Sequence, residues 1–116
     1  MTIREAATVL GCDVACGEQG LDRPLAAAFG ADLMSDVLTY AAEGCLLLTG
    51  MVNAHVLRTA QILDVPCVMF VRGKRPTQEL IDLSQEMGIT LLCSRLTLYE
   101  ACGRLYAQGL CPCRKA

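Results

Sequence analysis

Three stretches of this chain carry almost no polar side chain: "CLLLT" (45–49), "PCVMFV" (66–71) and "ITLLC" (89–93). Each is too short for a buried helix, and none alternates apolar with polar residues. A strand with one wetted face would alternate, so these strands are buried on both faces. Helix-length segments separate them. Asn53 can cap a helix through about Leu63, Thr77 one to Met87 closed by Gly88, and Thr97 one to Gln108 ended by Gly109. Strand, helix, strand, helix, strand, helix with doubly buried strands predicts a parallel sheet covered on both sides.

Ahead of residue 45 the pattern is weaker. Thr2 and Glu5 form a capping-box pair before a short helix at 3–10 that Gly11 stops. "CDVAC" (12–16) and "LAAAF" (25–29) are strand candidates on either side of the turn-rich "GEQGLDRP" (17–24). Residues 33–43 read as a helix. At 100° per residue, Leu33, Met34, Val37, Leu38 and Ala41 fall in one arc, and Asp32, Ser35, Asp36, Thr39 and Glu43 in the other. On periodicity alone Asp32 is an N-cap accepting the Ser35 N–H, and Asp36 a first-turn partner of the helix dipole. The expected architecture is a single three-layer α/β domain, with a mostly parallel sheet of four or five strands flanked by helices. Residues 1–110 form the domain and 111–116 a tail.

The length of 116 residues suits one domain. With 53% apolar residues it has material for a core, and a net charge of −2 exerts no pull toward nucleic acid or membrane. Without Trp, and with three Tyr and two Phe, it lacks a base-stacking platform. No apolar run approaches the ~20 residues of a membrane span, and the charged start is no signal peptide. These features place the chain in the cytoplasm, with its eight cysteines as thiols.

Ligands of open parallel sheets sit beyond the carboxyl ends of the strands. Three loops meet there: "TGMVNAH" (49–55), "RGKRP" (72–76) and "SRLT" (94–97). They bring Thr49, Asn53, His55, Arg72, Lys74, Arg75, Ser94 and Arg95 to one edge, beside three helix N-termini suited to an anion. His55 stands in the first turn of its helix, off the apolar arc, and can donate a hydrogen bond to a ligand. Equally, these loops can be a solvated charged surface. Gly73-Lys74 is no P-loop, because Arg75 follows and no glycine lies five places earlier.

"GADLMSDVLTYAAEGCLLLTG" (30–50) resembles the signature of the DRTGG domain family, a segment of the type "sDLLSDVmanAkeGdlWIT". "VPCVMFVRGKRPTQELIDLSQEMGITLLCSRLTLYEACGRLY" (65–106) is similar both to that family and to the N-terminal domain of HPr kinase/phosphorylase. The likeness spans about residues 2–110. "LDR" (21–23) is compatible with the family's Asp-Arg, while Ala26, Ala27, Ala28, Phe29 and Gly30 stand where members often carry paired glycines. "MVNAH" (51–55) supplies Asn53 and His55 to a region where members tend to place polar residues.

The resemblance implies a regulatory or accessory domain with no enzymatic activity of its own, and the kinase half of the second relative is absent. It adds Asp32, Ser35 and Asp36 to Thr49, Asn53, His55, Arg72 and Arg95 as candidate ligand-binding residues. The expected partner is a small anionic ligand, a nucleotide or phosphate, or a protein. Which cofactor, if any, the domain uses is left open by the resemblance. The edges left by "CDVAC" and "LAAAF" favour a homodimer.

An alternative rests on the cysteines. Cys45, Cys67 and Cys93 lie in buried strands and Cys102 in the last helix, where a thiol packs as a small hydrophobe. Cys12 and Cys16, ~13 Å apart in a strand, cannot share one metal. Cys111-Pro-Cys113 is terminal and lies beside Arg114 and Lys115, whose charge favours thiol reactivity. Cys111 and Cys113 can bind a soft metal or sense redox state, although a zinc site needs two more ligands.

Overall fold

The computed structural model describes residues 1–113. The chain runs α1 (Ile3–Leu10), β1 (Asp13–Cys16), a short 3-10 turn (Glu18–Gly20), β2 (Ala27–Gly30), α2 (Met34–Tyr40) and β3 (Cys45–Thr49). It continues through α3 (Ala54–Ile62), β4 (Cys67–Phe70), α4 (Gln78–Met87), β5 (Thr90–Cys93) and α5 (Leu98–Ala107). The five strands form one sheet in the order β1-β5-β4-β3-β2, as expected of a mostly parallel α/β domain. Four strands are parallel, and β1 pairs antiparallel with β5 at one edge.

The two faces of the sheet explain the apolar strands. Leu47, Val68, Phe70 and Leu91 pack under α2, α3 and α4 with Val37, Val56, Leu57 and Leu80. Leu46, Leu48, Cys67, Met69 and Leu92 pack on the other side with Ile3 and Leu10 of α1 and Leu105 of α5. Successive side chains point to opposite faces, and both faces are core.

Helix ends follow the local chemistry. Thr2 and Glu5 close the capping box, and Gly11 ends α1 at φ 62°. Asn53, Thr77 and Thr97 cap α3, α4 and α5 by accepting from Val56, Leu80 and Glu100 N–H groups.

The opening segment threads both ends of the sheet. β1 runs toward the amino edge, where residues 17–26 carry the chain across to β2 at the far side. Ile3 N–H donates to Arg23 O, Arg4 N–H to Leu21 O and Leu25 N–H to Met1 O, so this crossing is tied to α1. The half-buried Arg23 guanidinium lies near the same edge. It donates to Gly20 O, to Pro66 O just before β4, and to Thr90 Oγ1 in β5. Asp22 pairs with Arg4 on the surface. The Asp-Arg of "LDR" is thus structural at the end opposite the carboxyl edge.

Two expectations about α2 change. The helix covers Met34–Tyr40 rather than 33–43, and Leu33 takes the N-cap position without a side-chain cap. Asp32 is drawn away by a stronger acceptor role described below. Met34, Val37 and Ala41 are buried, but Leu33 and Leu38 are exposed, because α2 meets the sheet along a narrower stripe than the wheel implies. Among the described residues, no helix is long and apolar enough to cross a membrane.

Residues 111–113 lie along β2. Ala28 N–H donates to Cys111 O and Cys113 N–H to Ala28 O, both at 2.9 Å, which makes a short parallel bridge on the outer side of that strand. Arg114 and Lys115 lie outside the described residues.

Candidate functional site

The carboxyl edge is organised around one residue, Gly50. Gly50, buried just after β3, donates its N–H to Asp32 Oδ1 at 2.7 Å. It accepts on its carbonyl from Lys74 Nζ at 2.8 Å. Thr49 Oγ1 also donates to Asp32 Oδ1, at 3.2 Å, and accepts from Met51 N–H. A carboxylate from the β2–α2 loop and an ammonium from the β4–α4 loop thus hold the two peptide groups on either side of the Gly50 Cα through charge-assisted hydrogen bonds. This is why Asp32 does not cap α2.

Arg72 follows the end of β4 in an unusual backbone state. Its φ is 62°, and Gly73 follows at 72°. Left-handed backbone is costly for a residue with a Cβ. Here it is imposed from three sides. Arg72 N–H donates to Leu96 O at 2.8 Å, Gly73 N–H to Ser94 O at 2.9 Å, and Lys74 N–H to Val71 O at 3.3 Å. The turn locks the β4 and β5 loops together and lays the Arg72 guanidinium over Gly50. A Cβ added at Gly50 would lie 2.5 Å from Arg72 Nη2 and 2.8 Å from its Cζ. Only glycine leaves room for the guanidinium there.

Beside this turn is a polar cavity of about 400 Å³ lined by Asp13, Gly73, Arg75, Cys93, Ser94 and Arg95. Arg75 pairs with Asp13 at 3.0 Å. Ser94, buried, accepts from Leu96 N–H. Among the described residues, Arg72 and Arg95 have no carboxylate partner. Of the four cations at this edge, then, Arg75 is neutralised by Asp13, Lys74 is committed to Gly50, and two guanidinium groups stay available.

The other candidates separate. Asn53 is occupied as the α3 cap. His55 is exposed in the first turn of α3. Ser35 and Asp36 are exposed on α2; the Ser35 carbonyl accepts from Thr39 Oγ1. Among the described residues, no hydrogen bond or ion pair joins the Ser35 or Asp36 side chain to the basic loops. A second cavity of about 500 Å³ runs between α3 and α4. Val52, Leu80 and Leu83 line it, with Arg58 and Glu79 beside them.

Gly50 was not among the candidates, nor was the role of Lys74. The available signal was a glycine directly after a fully buried strand, where a side chain would obstruct whatever crosses the strand end.

The thiols are dispersed. Cys16 meets Ser84 Oγ at 3.0 Å under α4, whereas Cys12 lies against Met69 on the opposite face. A bulge between Val14 and Cys16 reverses the side-chain order. Burial pushes the Cys12 thiol up to about 11 and the Cys67 thiol further still. Cys111 is exposed and Cys113 buried. Among the described residues, no group of three or more His, Cys, Asp or Glu side chains could hold a metal.

No family model matches this sequence, and comparison with curated proteins finds no match. The fold does match a solved structure. It is similar to the CBS and DRTGG domains of the regulatory region of Clostridium perfringens pyrophosphatase, a structure complexed with its activator, diadenosine tetraphosphate. The TM-score is 0.74 at 20% sequence identity, over 94% of this chain and 47% of that one. The chain therefore spans about half the length of that neighbour, and at this identity the likeness establishes the fold.

Proposed function

We propose that this protein is a non-catalytic regulatory module of the DRTGG type that binds a small phosphate-bearing ligand, a nucleotide in the first instance, at the carboxyl edge of its sheet. The observation that carries the reading is Arg72. A strained turn holds its guanidinium over Gly50, Arg95 lines the polar cavity on which Gly73 of the same turn borders, and among the described residues neither arginine is neutralised by a carboxylate. Strain maintained by surrounding hydrogen bonds is a feature of ligand clamps, and paired guanidinium groups suit the oxygens of a phosphate. The regulatory region that shares the fold, with its nucleotide activator, supports the ligand class. The sequence resemblance to the N-terminal domain of HPr kinase/phosphorylase supports the regulatory role.

In this reading Arg72 and Arg95 contact the anion, Gly50 gives Arg72 its place, and Asp32, Thr49 and Lys74 hold Gly50. Exposed Leu33, Leu38 and Tyr40 on α2 supply an apolar surface for a second copy or a partner protein. Sedimentation across a concentration series checks that association.

Calorimetric titration with adenosine mono-, di- and triphosphate, diadenosine tetraphosphate and sugar phosphates tests the ligand. At least one should bind, and Arg72→Gly and Arg95→Ala should each weaken it about tenfold or more, the scale of a charge-assisted hydrogen bond. Arg72→Gly relieves the backbone strain, so weaker binding there cannot be ascribed to misfolding. Absence of heat with every compound would sink the reading.

A further inference from the structure

The cavity of about 500 Å³ between α3 and α4 differs in character from the basic loops. Each of these helices follows a parallel strand, so both start at the carboxyl edge. The groove opens there, with Val52, Ala54 and Thr77 at its mouth. Its floor is apolar: Leu80 is buried, and Val52 and Leu83 are half-buried. Its walls carry opposite charge. Arg58 stands on α3, and Glu79, Asp82 and Glu86 stand on α4, where helical spacing puts them on one face. Asp82 accepts from Gln78 Nε2 at 2.9 Å. Among the described residues, Arg58, Glu79 and Glu86 form no ion pair, although all three line the same cavity. Opposite charges that face one space without closing on each other suit a ligand that offers donors to one wall and an acceptor to the other. An apolar floor with a few polar groups around it is the usual make-up of a small-molecule site. Three carboxylates against one guanidinium keep a phosphate out of the groove. They admit a neutral ring that carries N–H donors.

We infer that this groove takes the base of a nucleotide whose phosphate lies on Arg72, an amino-bearing base with its exocyclic amino group toward the α4 carboxylates and an acceptor toward Arg58. The inference rests on the anion site proposed at Arg72 and narrows its ligand from phosphate compounds in general to nucleotides. The chain itself connects the two places. The Arg72 guanidinium lies over Gly50, and Val52, at the mouth of the groove, is two residues further on. Two residues span at most about 7 Å, a gap that a ribose bridges. Phosphate and base then go to regions of opposite character. Guanidinium groups receive the phosphate oxygens, and the apolar floor receives the ring, with carboxylates beside its amino group. A sugar phosphate would use only the first of these regions.

The test compares adenosine monophosphate with ribose phosphate on the full chain, by calorimetry and by amide chemical shifts. Adenosine monophosphate should bind about tenfold tighter or more, because burial of the base is added to the phosphate contacts. It should shift the amides of Val52, Ala54, Arg58 and Leu83, which ribose phosphate leaves in place. Arg58→Met, a change at an exposed position, should cut the affinity for adenosine monophosphate about tenfold and leave that for ribose phosphate as it was. The chemical shifts are read on the parent chain, so they decide the matter even if the variant folds poorly. Equal affinity for the two compounds would overturn the inference and leave the anion site standing. So would a preference for adenosine monophosphate with no shifts along the groove. Absence of binding by either compound would remove the inference together with the anion site.

Discussion

Asp32 Oδ1 lies 2.7 Å from the amide nitrogen of Gly50, two strands' ends joined by one hydrogen bond. Asp32 stands after β2 and Gly50 after β3, and the bond is charge-assisted. It fixes the plane of the Thr49–Gly50 peptide, while Lys74 holds the carbonyl of the peptide that follows.

Removing the carboxylate should therefore loosen the edge. Asp32→Ala leaves the Gly50 N–H and the buried Thr49 hydroxyl without their acceptor, at a cost of about 1–3 kcal/mol. Asp32→Asn keeps one acceptor oxygen and should cost less. Urea unfolding of both variants checks the order. Equal stability of Asp32→Ala and the parent would mean that the bond is unimportant.

Gly50→Ala separates stability from binding. The added methyl meets only the tip of the flexible, exposed Arg72 side chain. The fold should lose less than about 1 kcal/mol, while the guanidinium is pushed off its perch and anion binding weakens. Calorimetry beside thermal melting reads both quantities on one sample.

Arg23→Met addresses the opposite end of the sheet. It strips three acceptors, Gly20 O, Pro66 O and Thr90 Oγ1, of a half-buried guanidinium. A loss of about 1–3 kcal/mol is expected, with ligand binding by the folded fraction unchanged. A specific loss of affinity at full folding would move the functional role to the amino edge.

The capping box gives a pH dependence. Hydrogen bonds from the Thr2 backbone N–H, and with its hydroxyl, hold the Glu5 carboxyl below its ordinary 4.5. A depressed carboxyl contributes stability above the unfolded value, and that contribution is lost as pH falls through the folded one. Between those two values the unfolded chain binds more protons, so stability should decline on acidification from about pH 4.5 downward. Glu5→Gln should flatten that part of the melting-temperature profile. An unchanged slope would assign the acid sensitivity to other carboxylates.

Much of the fold is legible in local chemistry. The apolar runs at 45–49, 66–71 and 89–93 require burial on both faces, and Asn53, Thr77 and Thr97 set the starts of the intervening helices. The carboxyl edge follows from strand direction, so the placement there of the loops after β3, β4 and β5 was foreseeable. The reading of Asp32 fails for a physical reason. A wheel compares a residue only with its own helix, and the competing donors come from a strand nearly twenty positions away.

By itself, the sequence determined the alternation of strands and helices, the doubly buried sheet and the basic character of its carboxyl edge. These are properties of short segments, dictated by periodicity, caps and composition. Tertiary structure decided which cations of the carboxyl edge lack a carboxylate among the described residues, and why Gly50 has no side chain. Those outcomes depend on groups brought together across the sheet, where a hydrogen bond from a distant strand outweighs the local preference of the residue that accepts it.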